Sequence, residues 1–223
     1  MIALNTVGKG MILAAMAATM ALGTAAAPAA AQTIIDEWQQ IKVPAAPELK
    51  PVKADVPTTA LLLLDFNGAQ DPSKGPCNSK TKPRCLASLP KVAKLLTEAR
   101  AKGMLVVYSL AGSGTREDIA TVLAPKDGEA IVKSGPNKFM NTDLDKLLTA
   151  KSIKNVIVTG TASEGAVLNT ASDAAFKGMN VILPVDGMSS TELYAEQYVA
   201  WHMTHAPAVS TKTTLTTIDM ISF

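Results

Sequence analysis

Two short runs of almost pure aliphatic residues constrain this chain most: "TALLLL" from Thr59 to Leu64 and "NVIVTG" from Asn155 to Gly160. A strand that is apolar at nearly every position has both faces covered, as in a parallel sheet buried between helices. Helical patterns lie between such runs. Ser88 offers an N-cap for "LPKVAKLLTEARAK", in which Leu89, Val92, Leu95, Leu96 and Ala99 recur at helical spacing before Gly103 ends it. The strand "MLVVYS" follows at once, then "AIVK", a helix from about Thr142 to Ala150, and "NVIVTG". The pattern then repeats: a helix from Gly165 to Lys177, the strand "NVILPV", a helix from about Thr191 to His205, and a Thr-rich strand from Ser210. Alternation at this spacing predicts right-handed β-α-β crossovers, a mainly parallel sheet and an α/β fold.

The N-terminus reads differently. Lys9 precedes a small and apolar run from Met11 to Leu22, followed by small residues to Ala31, the composition of a secretory signal peptide cut before Gln32. The expected organisation is a signal over residues 1–31, a Pro-rich lead-in over 32–57 and one domain over 58–223. The mature chain is then expected to be soluble, with no membrane association after cleavage, and periplasmic or secreted. The formal net charge of +2 includes Lys9, and no dense Lys/Arg block tracks a phosphate backbone, so nucleic acid is not an expected partner.

Cys77 and Cys85, the only two cysteines, flank the polar segment "PCNSKTKPRC". In an exported chain a disulfide closing this small loop is the first reading. A metal or redox pair is the alternative, against which stand the seven intervening residues and the lack of a nearby His.

In parallel α/β sheets ligands sit beyond the carboxyl ends of the strands, here Asp65, Ser109, Lys133 and the turn Gly160 to Gly165. Asp65 ends an aliphatic strand, where a carboxylate caps the next turn or faces a partner in a cavity. Lys133 ends "EAIVK" in the same way, as a surface Lys or as the partner of Asp65. A carboxylate and an ammonium on one rim make an acid/base pair.

The ordered segments "LLLLDFNGAQ", "IVKSGPNKFMNTDLDKLL" and "NVIVTGTASEGAVLNTASDAAFKGMNVILPVDGMSS" together resemble the isochorismatase-like hydrolases, also called the cysteine hydrolase superfamily. The resemblance runs from about Ala60 to Ser190. It implies a three-layer α/β/α sandwich, a tendency to form homo-oligomers, a small-molecule substrate and a triad of Asp, Lys and Cys. Asp65 matches the Asp and Lys133 the Lys, with Phe139 following at the expected place. The family turn, Gly-x-x-Thr-x-x-Cys-Val, puts Ala166 where the Cys stands and Ser163 where the Thr stands. A methyl group cannot attack a carbonyl, so thioester chemistry is closed to that position. True isochorismatases carry Gly there and cleave a vinyl ether with the Asp as proton donor, a chemistry that Ala166 permits. Ala111 stands where they place a polar Gln, and the Asp-x-His metal motif of nicotinamidases is absent, so neither metal nor cofactor is expected.

Candidate substrate-binding residues are Asn67, Phe139, Thr161, Ala162, Ser163, Glu164 and Ala166. Glu164 is a carboxylate favoured by a helix N-terminus, a second acid working with Asp65, or a group that contacts a cationic substrate through the pocket mouth. In "HMTH", His202 and His205 are a metal half-site or, in the plainer reading, packed or surface side chains. Two functions follow: a Cys-independent hydrolase using Asp65 and Lys133, or a catalytically inactive relative that binds a small ligand or a protein partner.

Overall fold

The computed structural model of the chain describes residues 33–68 and 76–223. The signal segment expected over 1–31 lies outside the described residues. The chain divides into two units at Val43/Pro44. In the first, Trp38–Gln40 forms a turn of 3-10 helix, and Ile34, Ile35, Trp38 and Ile41 are exposed. Among the described residues no helix is long and apolar enough to cross a membrane.

Among the described residues the second unit carries nine strands and four α-helices. In chain order they are β1 (Val52–Lys53), β2 (Thr59–Leu64), α1 (Pro83–Ala101), β3 (Leu105–Leu110), β4 (Ala130–Lys133), α2 (Leu144–Ala150), β5 (Asn155–Thr161), α3 (Leu168–Phe176), β6 (Asn180–Pro184), β7 (Met188–Ser189), α4 (Leu193–His205), β8 (Thr213–Thr216) and β9 (Ile221–Ser222). The main sheet runs β4-β3-β2-β5-β6-β8, with β7 extending the pairing of β5, and all its pairs are parallel. β1 and β9 form a separate parallel pair.

The aliphatic runs are central strands, as their composition requires. All six residues of β2 are buried, between β3 and β5. Alternate side chains leave on opposite faces. Leu61 and Leu63 pack with Val92, Leu95, Leu96 and Ala99 of α1, whereas Leu62 and Leu64 pack with Leu148 of α2, Ala171 and Ala174 of α3 and Val199 of α4. One helix therefore covers one face and three cover the other, giving three layers.

The order also locates a crevice. The chain builds outward from β2 through β3 to β4, then returns to β5 on the other side of β2. The strand order reverses between β2 and β5, and ligands in open α/β sheets bind beyond such a point. The strands approach closely there: a Cβ on Gly160, whose φ is +144°, would lie 2.3 Å from the Leu64 carbonyl oxygen. Glycine lets the end of β5 sit against the end of β2.

Local pattern misplaces one boundary. α1 begins at Pro83, so Ser88 lies inside it and donates its hydroxyl to the Cys85 carbonyl at 2.8 Å instead of capping a start. Pro83 suits a first helical turn because its fixed φ is helical and its missing N–H is not needed there. The helix then tolerates Pro90, which removes one internal hydrogen bond. At α3 the expected start at Gly165 is taken by a wider π-type turn over Ser163–Val167.

Candidate active site

Asp65 leaves β2 with φ at +58°, in the left-handed region that Asp tolerates better than most residues. Its backbone N–H is held by the Ser109 carbonyl at 3.2 Å. The carboxylate is enclosed: Ser109 Oγ donates to Oδ1 at 2.6 Å and Lys138 Nζ to Oδ2 at 2.7 Å. The Lys138 side chain is 0% exposed and that of Asp65 6%, so the ammonium is closed off while the carboxyl keeps a narrow opening, and the ammonium also donates to the Ser134 carbonyl at 3.2 Å. Burial drives the Asp65 carboxyl above the ordinary carboxylate range, outweighing the ammonium of Lys138 and the two hydrogen bonds that favour the charged form. A carboxyl raised in this way holds a proton at higher pH than an exposed one and can deliver it to a substrate.

The expected partner of Asp65 was Lys133, and the structure corrects this. Lys133 is exposed and its Nζ donates to the Gly114 carbonyl at 3.1 Å. Two features of the sheet explain it. β4 is an edge strand, two places from β2, hence about 10 Å away at ordinary strand spacing. Alternation puts Lys133 on the face of Ile131, which packs toward α1, whereas the loop after β4 returns on the opposite face and carries Lys138 inward. Thr170 anchors that loop, accepting the Lys138 N–H at 3.1 Å, and Asn137 donates to Asp173 at 2.8 Å. Phe139 beside it is buried in the core with Leu64 and Ala166. The one sequence signal for Lys138 was a second Lys directly before that Phe.

The turn after β5 follows the strand beside β2, whose Leu64 pairs with Gly160. Thr161 and Ala162 are joined by a cis peptide, and Thr161 Oγ1 donates to the Pro76 carbonyl at 3.4 Å. Ala166 is buried, its methyl packed into the core. Ser163 is fully buried, and its hydroxyl has no hydrogen-bond partner among the described residues. Glu164 is exposed in the first turn of the π-type segment and accepts from Ser190 Oγ at 2.6 Å.

Asn67 braces a loop. Its side-chain oxygen accepts from the Ala111 N–H at 3.2 Å and its amide donates to the Ala111 carbonyl at 3.4 Å. Gly114 makes room for it, since a Cβ there would lie 2.4 Å from Asn67 Nδ2. Cys77 and Cys85 are joined in a disulfide, and the Cys77 N–H bonds the Asn67 carbonyl at 3.2 Å. The disulfide thus fixes the start of α1 to the segment that carries Asp65 and Asn67. His205 stacks on Trp201 and His202 lies tilted against Tyr198, and no group of three or more residues able to hold a metal occurs among the described residues.

A three-layer α/β/α domain with a buried Asp and Lys beyond its central strands defines the class of hydrolase-type α/β domains with a site at a strand-order switch. The isochorismatase domain model matches residues 59–215, and the chain belongs to that family. Among curated proteins it is 32% identical to N-carbamoylsarcosine amidase of Arthrobacter sp. over 124 residues, covering 43% of this chain and 47% of that one. It is 30% identical over 118 residues to a secreted isochorismatase effector of Verticillium dahliae, covering 48% of this chain and 62% of that one. The matched region thus spans less than two thirds of either relative. Two solved structures share the fold. An isochorismatase family protein from Desulfovibrio vulgaris has TM-score 0.63 and 21% identity, covering 73% of this chain and 95% of that one. N-carbamoylsarcosine amidase from Thermoplasma acidophilum has TM-score 0.61 and 17% identity, covering 73% and 97%.

Proposed function

We propose that the chain is an exported hydrolase of a small molecule that works without a cysteine nucleophile, with Asp65 as the proton-transferring group and Lys138 as its buried counter-charge. The observation that carries this reading is the buried Asp65–Lys138 pair at the strand-order switch. The chain has two cysteines, both held in the disulfide, and Ala166 occupies the place that the resemblance gives to the nucleophile. In the reaction Asp65 gives its proton to the leaving oxygen of the substrate as that oxygen's bond to carbon breaks. Water adds to the carbon and its released proton restores Asp65. Lys138 stabilises the carboxylate that exists between these transfers. Thr161, Ala162 and Ser163 supply the opposing wall of the site. Export is supported by the disulfide and by the secreted Verticillium relative.

The test is a turnover screen of small vinyl ethers and esters, with Asp65→Asn, Lys138→Met and Lys133→Ala alongside. Turnover lost in the first two and kept in Lys133→Ala supports the proposal, whereas turnover that survives Asp65→Asn overturns it. Because Asp65 acts protonated, activity declines as pH rises through its elevated pKa. Saturable binding without turnover would favour the second reading, a ligand-binding relative that has lost catalysis with its cysteine.

A further inference from the structure

A cleft of about 240 Å³ lies between the first turns of α1 and the turn from β6 to β7, and neither Asp65 nor Lys138 lines it. Ser189 does, at 2% exposure, and among the described residues its hydroxyl is one of two buried side-chain polar groups without a hydrogen-bond partner, the other being Ser163. Ser189 lines the cleft together with its strand neighbour Met188, which also reaches the core on the face of α2, α3 and α4. An unmet buried hydroxyl is unfavourable and calls for a specific occupant.

The rim states which occupant fits. Arg84 and Lys91 are seven residues apart on α1, two turns along one face. Arg84 forms a two-point ion pair with Glu196, and Lys91 bonds Asp186 at 2.8 Å. Both acids are further engaged: Glu196 Oε1 also accepts the Ser190 N–H and Asp186 Oδ1 the Ile218 N–H, each at 2.9 Å. Arg84 retains three N–H donors and Lys91 two beyond these bonds. The five unused N–H groups thus exceed the roughly three lone-pair positions left on Glu196 and Asp186, in a lining whose two cations and two carboxylates balance in charge, and Ala87 and Val185 add an apolar wall. We infer that this cleft is a second small-molecule site that takes a small organic carboxylate, its charge shared by Arg84 and Lys91 and one oxygen accepting the Ser189 hydroxyl. The inference does not depend on the chemistry proposed at Asp65.

Isothermal titration of the full chain with butyrate and with succinate tests it, with butyramide and inorganic phosphate as controls. Saturable binding of the carboxylates is expected, weaker by roughly fivefold in Ser189→Ala, the worth of one hydrogen bond, and by roughly tenfold in Arg84→Gln, the worth of a charged one. Circular dichroism of both variants should match the parent, since Ser189→Ala removes only an unmet hydroxyl and Arg84 sits at the surface. Four results overturn the inference: no saturable binding to tens of millimolar, butyramide binding as well as butyrate, phosphate binding as well as the carboxylates, or affinity unchanged in Ser189→Ala.

Discussion

Replacing Lys138 by Met removes one member of a buried ion pair and leaves Asp65, with a side chain 6% exposed, facing an apolar tail. Breaking a buried pair on one side typically costs about 3 to 5 kcal/mol, because the remaining charge has lost both water and partner. For a domain of this size that corresponds to a fall in Tm of about 6 to 20 °C. The loss has a definite pH dependence. Burial already raises the Asp65 carboxyl above its ordinary value, and loss of the ammonium removes the largest effect that lowers it. A group whose folded pKa is raised binds more protons folded than unfolded, so its stability is full below the unfolded pKa and declines as pH rises toward the folded one. Lys138→Met should therefore be least destabilised near pH 4 and progressively more so toward neutrality, and Asp65→Asn added to it should recover most of the loss. The assay is urea denaturation of the parent, both single variants and the double variant at several pH values, read as a double-mutant cycle. Additive effects, or a Lys138→Met penalty independent of pH, would refute the reasoning that an uncompensated Asp65 charge is the source.

Gly160→Ala should be strongly destabilising, about 2 to 4 kcal/mol by urea denaturation, because the new methyl meets the Leu64 carbonyl at 2.3 Å and φ is +144°. Replacing Cys77 and Cys85 together by Ala should lower stability by about 2.5 kcal/mol on the chain-entropy estimate for so short a loop, and equal stability of the two forms would show that the staple contributes nothing. Ser163→Ala removes a buried hydroxyl that bonds to nothing, so its Tm should hold or rise; a clear fall would mean that the hydroxyl is satisfied in solution.

The fold was legible because its signal is local. The continuous runs of β2 and β5 and the helical spacing of Val92, Leu95, Leu96 and Ala99 are properties of a few adjacent residues, and burial then follows from periodicity. Asp65 was legible for the same reason: a carboxylate at the end of an aliphatic strand is conspicuous in one dimension. The start of α1 was less so, since Ser88 looks like a cap until the helix is seen to begin five residues earlier at Pro83, beside the disulfide of Cys85.

The identity of the cation beside Asp65 belonged to the tertiary structure. Lys133 and Lys138 are five residues apart, and nothing local ranks one above the other. The choice depends on β4 lying at the sheet edge, on the face to which alternation turns Lys133, and on the path by which Thr170 and Asp173 hold the loop that buries Lys138. The two unmet hydroxyls of Ser163 and Ser189 were equally invisible, because a missing hydrogen bond is a statement about every neighbour in space. Sequence thus determined which residues form strands and helices and which end holds the carboxylate, while three-dimensional packing decided what that carboxylate touches, because an ion pair is made by distance across the fold and not by separation along the chain.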